Sequence, residues 1–279
     1  MPIHDQGYRR YAGTRIEPGR AWAVIAKAGI RTLVSKRAFL GLLLLAWVPF
    51  VIRAVQIYAA ANVPRAEFLA PDAQMFRQFL AQQEAFLFFI TVYAGTGLIA
   101  GDRRANALQI YLSRPLTRLE YIFGKFAVLL SVLLMVTWVP AMLLLVIQVA
   151  FAGSVTFLVQ NLFLLPAITV FSFIQATAVG LAMLALSSLS KSSRYVGVLY
   201  AGLIFFSQAI YGIVRGITRD SSLAWLSVSL DLEQIGDVIF RMEPRYHMPV
   251  WSAFLAIALL IAASAAILER RVRGIEVVT

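Results

Sequence analysis

Six runs of apolar residues, each bounded by charged or polar clusters, punctuate the chain at about 38–60, 85–100, 126–150, 163–186, 196–213 and 250–267. A helix rises about 1.5 Å per residue, so a run of about 20 apolar residues crosses the roughly 30 Å hydrocarbon core of a bilayer. The pattern therefore predicts an all-α, polytopic membrane protein with six transmembrane helices. The second run is the shortest, and its first turn is expected to reach back into residues 82–84, since a span can recruit polar residues at the interface. Residues 1–37 form an arm, and residues 38–279 a single six-span membrane domain without a long linker or an internal repeat.

Composition supports this reading. Of 279 residues, 60% are hydrophobic and 14% charged, and the mean hydropathy is +0.78. An ordinary soluble domain has roughly 45–50% apolar and about 25% charged residues, so a cytosolic enzyme is excluded. The net charge of +11 would suggest nucleic acid in a soluble chain, but its distribution gives another meaning. Eighteen Lys and Arg fall before the first run, between the second and third, after the fourth, and in the tail, whereas six fall in the opposite loops. Basic residues near span ends stay in the cytoplasm, which puts both termini there and leaves nucleic acid without a role. A multi-pass protein of a bacterial inner membrane is the expected localisation. The chain has no Cys, hence no disulfide, thiolate nucleophile or Cys-ligated metal, and residues 1–20 lack the apolar core of a signal peptide.

Between Arg20 and Arg37, a spacing of about 100° per residue puts Arg20, Lys27 and Arg31 on one face and Trp22, Ile25 and Leu33 on the other, with Gly29 a neutral gap. This describes an amphipathic helix in the membrane interface, started near Pro18, with Trp22 at headgroup depth and cations toward anionic lipid. The alternative is a basic flank that merely orients the first span. Residues 101–125 predict a short helix from Asp102 to Leu112, with Leu108 and Leu112 one turn apart. A stop before Pro115 and a capping box of Thr117 and Glu120 opening a second helix follow. The alternative is a plain linker.

Those residues also carry a resemblance. Asp102 after the second span, then Leu-Ser-Arg-Pro-Leu-Thr-Arg, then Gly124-Lys125 opening the third resembles the permease subunit of an ABC-2 type transporter. The departure is Asn106-Ala107, where that family usually has Gly-Thr, so a different local turn is expected. The resemblance implies a dimeric channel, here a homodimer of two permease copies surrounded by membrane lipids, with a separate cytoplasmic ATPase that holds ATP and Mg. It places Asp102, Arg103, Arg104, Leu108, Leu112, Pro115, Arg118 and Lys125 in or beside the coupling helix. It also favours export. The chain itself has no Gly-x-x-x-x-Gly-Lys-Ser/Thr run to cradle phosphates.

In the loop 212–249, Asp231 is placed to cap a short helix with Gln234 reaching back, and Leu232, Ile235 and Ile239 share a face. This helix is expected to fold back on the outer surface, either closing the pathway, as in the resembling family, or resting on lipid. Within the apolar runs Arg53 is the sole ionisable residue, able to snorkel outward or to bind an anionic substrate. Gln56, Gln148, Gln175 and Gln208 would line a pathway or bridge helices, and Pro49, Pro140 and Pro166 would kink the first, third and fourth spans. His4 and His247 fall on opposite sides, so no metal site is expected, and no nucleophile, base or carboxylate pair suggests catalysis. The rivals are an ion-coupled carrier, disfavoured by runs without carboxylates, an intramembrane lipid enzyme, and a non-transporting anchor or sensor subunit.

Overall fold

The computed structural model describes residues 21–63, 70–107, 117–152 and 156–272, and among these every regular element is helical. Six helical stretches are long and apolar enough to cross a membrane: Arg37–Asn62, Ala73–Arg104, Arg118–Phe151, Leu164–Leu189, Ser193–Thr218 and Val250–Arg271. Each contains one of the six apolar runs. Helices suit this setting because they satisfy their own backbone donors and acceptors where water is absent.

Helix α1 (Ala21–Val34) precedes the first span, which is α2 (Arg37–Ala46) and α3 (Val48–Asn62) with a break at Trp47. Pro49 lies in the first turn of α3, where its missing N–H has no intrahelical partner to lose. The buried Gln83 amide donates to the Ala46 carbonyl at 3.1 Å, tying this break to the second span. The third span is α6 (Arg118–Val136) and α7 (Trp138–Ala152), interrupted at Thr137, just before Pro140 removes a helical donor. Pro166 kinks nothing. It sits in the first turn of the unbroken α9 (Leu164–Leu189), where a proline is tolerated. The short α8 (Thr156–Gln160) precedes α9, and the fifth span is α10 (Ser193–Ala201), a π-helical turn (Gly202–Phe206) and α11 (Ser207–Thr218). A 3₁₀ turn (Ala224–Leu226), α12 (Val228–Ile239) and α13 (Val250–Arg271) complete the order.

The fourth span is central. It is 67% buried over its most apolar stretch, against 11% for the first span and 17% for the fifth and sixth. Its small residues Ala176, Ala178, Gly180, Ala182 and Ala185 let neighbouring backbones approach, the usual basis of packing between membrane helices.

Two expectations are corrected here. The second span does not begin near residue 85 but at Ala73, running as α4 (Ala73–Gly95) and α5 (Ala100–Arg104). Asp72 caps it by accepting from the Met75 N–H at 2.8 Å, and Met75, Phe76, Phe79, Leu80 and Leu87 are buried along it. The span therefore includes Arg77 and Glu84, and the third, starting at Arg118, includes Glu120 and Lys125. Ionisable residues are present in the helices after all, because the polar turns of α4 are sheltered by protein.

The second correction concerns Gly29, which is the contact point of α1 and not a neutral gap. A Cβ there would lie 2.5 Å from Val128 Cγ2 of α6, and one on Gly124 would lie 2.9 Å from Ile25 Cβ and 3.0 Å from the Trp22 carbonyl. Trp22 meets Phe123 edge-on at 5.0 Å. The apolar face of α1 is thus taken up by the third span, while Lys27 and Arg31 stay exposed. Arg20 and Pro18 lie outside the described residues.

Candidate functional site

Two polar clusters stand at opposite ends of the bundle. At the end where the basic residues concentrate, Ser187 of α9 accepts from the N–H groups of Ile99 and Ala100 and donates to the Thr96 carbonyl at 3.0 Å. One hydroxyl thereby satisfies the backbone at the turn joining α4 to α5. Asp102 then pairs with Lys125 of α6 at 2.7 Å and accepts from the buried Tyr121 hydroxyl at 2.7 Å. The Lys125 ammonium also lies 5.5 Å from the Tyr121 ring centre. Two of the residues assigned to the coupling region are thus brought together across the connection between the second and third spans. The expected capping box is present: Thr117 accepts from the Glu120 N–H, and the Glu120 carboxylate accepts from the Thr117 N–H at 3.0 Å. The box opens the third span itself.

Arg103 and Arg104 turn toward the fourth span, donating to the carbonyl of Ser188 in the last turn of α9 and to that of Lys191 just past it. Such groups lack helical partners, and the negative end of the helix dipole favours cations there. Arg118 is exposed at the start of α6. Asn106 adopts φ of 52°, the left-handed conformation that a glycine would supply at this position. Asparagine tolerates that region better than most residues, so the departure from Gly-Thr leaves a turn of the kind glycine favours. Leu108, Leu112 and Pro115 lie outside the described residues.

The opposite end holds a cluster that the sequence reading missed. Arg77, expected in a loop, is 1% exposed on α4, where its Nε donates to Asp237 Oδ1 of α12 at 2.9 Å and its Nη2 to the Glu233 carbonyl at 2.9 Å. Arg245 joins from the other side, 2.9 Å from Asp237 Oδ2, and the Tyr246 hydroxyl donates to Glu233 at 2.7 Å. The backbone at Gly236 lies so close to Arg77 that an added Cβ would stand 2.6 Å from its Nε. Burial pushes the Asp237 carboxyl up, opposed by the charges of Arg77 and Arg245, and burial with the Glu233 contact raises Tyr246. The cluster borders a cleft of about 610 Å³ that also receives Asp72, Gln78, Arg241 and Glu243.

This geometry revises the picture of α12. The helix starts at Val228 after Ser227, so Asp231 lies inside it and caps nothing, and Gln234 hydrogen-bonds the Tyr246 backbone instead of reaching back. Leu232 and Ile235 are buried as expected, but so are Asp231, Gln234 and Asp237. The helix is embedded in protein on its polar side as well, held by Arg77, and is not simply laid on lipid. Burial pushes the Asp231 carboxyl up to about 8.

Of the suggested pathway residues, Arg53 and Gln56 meet. Arg53 is half-buried and donates to Gln56 at 2.8 Å and to Gln78 of α4 at 3.5 Å, which makes it a polar link between the first two spans. Gln148 and Gln175 are buried, and Gln208 is exposed. His247 is engaged through its backbone N–H with Ser221, while His4 lies outside the described residues. Among the described residues no three His, Asp or Glu side chains group to hold a metal.

Five apolar spans around a buried fourth, with charge gathered at the two ends, define a polytopic helical membrane domain. A family model described as ABC-2 family transporter protein matches residues 23–235, from α1 into α12, and the chain belongs to that family. A comparison with curated proteins gave no match. The membership identifies the chain as an ABC-2 transporter membrane domain, a family whose members work with an ATP-binding partner.

Proposed function

We propose that this chain is the permease subunit of an ATP-binding-cassette exporter, forming the translocation pathway while a separate cytoplasmic ATPase binds ATP and Mg and hydrolyses the nucleotide. The Asp102–Lys125 pair carries this reading, because it fastens together the two ends of the segment that would receive the ATPase. A docking segment transmits force only if its ends are held, and Tyr121, Ser187, Arg103 and Arg104 brace the same corner against the third and fourth spans. On this reading Leu108, Leu112 and Pro115 meet the partner, and Arg118 flanks it. The excess of basic residues at this end supports cytoplasmic termini in a bacterial plasma membrane. The sparsely buried first, fifth and sixth spans leave apolar surface for lipid and for a second copy in a homodimer.

The test is capture of an ATP-binding-cassette subunit, identified by mass spectrometry, on the tagged chain from native membranes. Changing Leu108→Asp together with Leu112→Asp should abolish capture while leaving the chain inserted. The change Trp225→Asp, near the opposite end, should leave it intact. Full capture by the double variant would reduce the segment to a linker. Glu84 in the second span favours a second reading, an ion-coupled carrier, which an ATPase-independent transport assay would support.

A further inference from the structure

Glu84 lies about 16 Å along α4 from its first residue, within the second span, at 1.5 Å per residue. Among the described residues no Lys or Arg stands within ion-pair distance of it. Its side chain borders a small, partly open cavity of about 30 Å³ shared by α4, α9 through Gln175, α10 through Tyr200, and α12 through Ser229. Gln175 is 2% exposed, and its Oε1 has no hydrogen-bond partner among the described residues. Ser229 lines the same cavity beside the Glu84 carboxylate. Ile204, from the π-helical turn that follows Tyr200, closes the wall, and such turns occur often at functional sites.

The geometry points to a binding site for one monovalent metal cation, sodium, between Glu84 and Gln175. The donors offered are a carboxylate, an amide oxygen, a phenol and a hydroxyl, a purely oxygen set of the kind that hard cations take. A cavity of this size admits one particle about as large as a water molecule. Charge selects valence. Arg77 and Glu233 act on Glu84 through space in opposite senses, and each is already engaged, Arg77 with Asp237 and Glu233 with Arg245 and Tyr246. With Glu84 ionised the site would carry one uncompensated negative charge, which one sodium ion neutralises and a divalent ion would invert. An unpaired charge away from water is costly, as is an amide oxygen without a donor, and the ion relieves both. The bound ion would tie α12 to the second, fourth and fifth spans.

Thermal unfolding of the purified chain in detergent tests the site at fixed pH and ionic strength, with choline replaced stepwise by sodium. Sodium should raise the midpoint in a saturable way, by about 5 °C when the ion is in large excess over its dissociation constant. Glu84→Gln should abolish the shift. Gln175→Leu, which keeps the carboxylate, should weaken the sodium midpoint concentration by about tenfold, one lost ligand of a few. Gln160→Leu, at an exposed position in α8, should respond as the native chain does. Equal midpoints in sodium and choline would overturn the assignment, as would an undiminished shift in Glu84→Gln. So would stabilisation by acid with no response to sodium, which would make the neutralising cation a proton. None of these outcomes depends on whether an ATPase binds.

Discussion

Asp102 and Lys125, at the end of the second span and near the start of the third, meet at 2.7 Å with Tyr121 as a third partner. The pair is largely sheltered, with side chains 19% and 12% exposed, so it acts as more than a surface ion pair. Lys125→Met should lower stability by about 1.5–3 kcal/mol, the range for hydrogen bonds to charged groups. The exchange of both residues, Asp102→Lys with Lys125→Asp, should recover part of that loss. Thermal unfolding in detergent reads both, and a double exchange no better than the single change would show that the pairing is not what holds this corner.

Arg77 and Asp237 stand 160 residues apart in sequence and are 1% exposed in the fold. Removing one partner of a buried pair leaves an uncompensated charge, at a cost of about 3–5 kcal/mol. Arg77→Met or Asp237→Leu should each be strongly destabilising, and the double variant should cost less than the sum. Arg245 remains as a second partner of Asp237, so the loss from Arg77→Met should be the smaller of the two. Additive losses would remove the coupling claimed here.

The contact of α1 with α6 depends on Gly124, against which the Trp22 carbonyl and Ile25 Cβ are packed. A backbone atom cannot turn aside as a side-chain tip can, so Gly124→Ala should push α1 off the third span. Overpacking of this kind costs typically about 1–3 kcal/mol. A disulfide between cysteines introduced at Trp22 and Phe123, whose rings now touch, should form readily in the otherwise native chain and poorly in the Gly124→Ala background. Equal crosslinking in both would show that α1 tolerates the added methyl.

Asp231 gives a pH dependence with a definite sign. Burial holds its carboxyl at about 8, well above the ordinary value near 4, so the folded state binds the proton more tightly than the unfolded chain does. Its contribution to stability is full below about pH 4 and is lost as pH rises through about 8. Asp231→Asn should therefore flatten the fall in thermal midpoint across that window, with a gain over the native chain at high pH and little change at low pH. A variant that follows the native curve would assign the slope to other groups.

Much of the architecture was legible because an apolar run long enough to cross a bilayer needs no tertiary information to be recognised. The Thr117–Glu120 box was legible for a similar reason, being complete within four residues. Where polar side chains are covered by distant chain, legibility ends. Gln74, Arg77 and Gln78 read as an external loop, with Gln82 and Glu84 only at the first turn of the span, whereas α12 and its neighbours shelter much of that stretch and Asp237 supplies the charge that Arg77 needs. The signal was there in weaker form: Asp72 as a cap, followed by Met75, Phe76, Phe79, Leu80 and Leu87 at helical spacing. At the basic end, Asp102 and Lys125 were singled out by family resemblance, but their contact could not be read from spacing alone. Nor could the inward turn of Arg103 and Arg104.

In the proposed division of labour this chain transports and a partner hydrolyses. ATP hydrolysis by the purified chain in lipid nanodiscs, measured alone and after addition of the ATP-binding-cassette subunit captured with it, tests this most directly. The chain alone should show only background hydrolysis, and the two together should exceed the ATPase subunit by itself, a gain lost with Leu108→Asp and Leu112→Asp. Robust hydrolysis by the isolated chain, or a partner whose rate ignores its presence, would contradict the account.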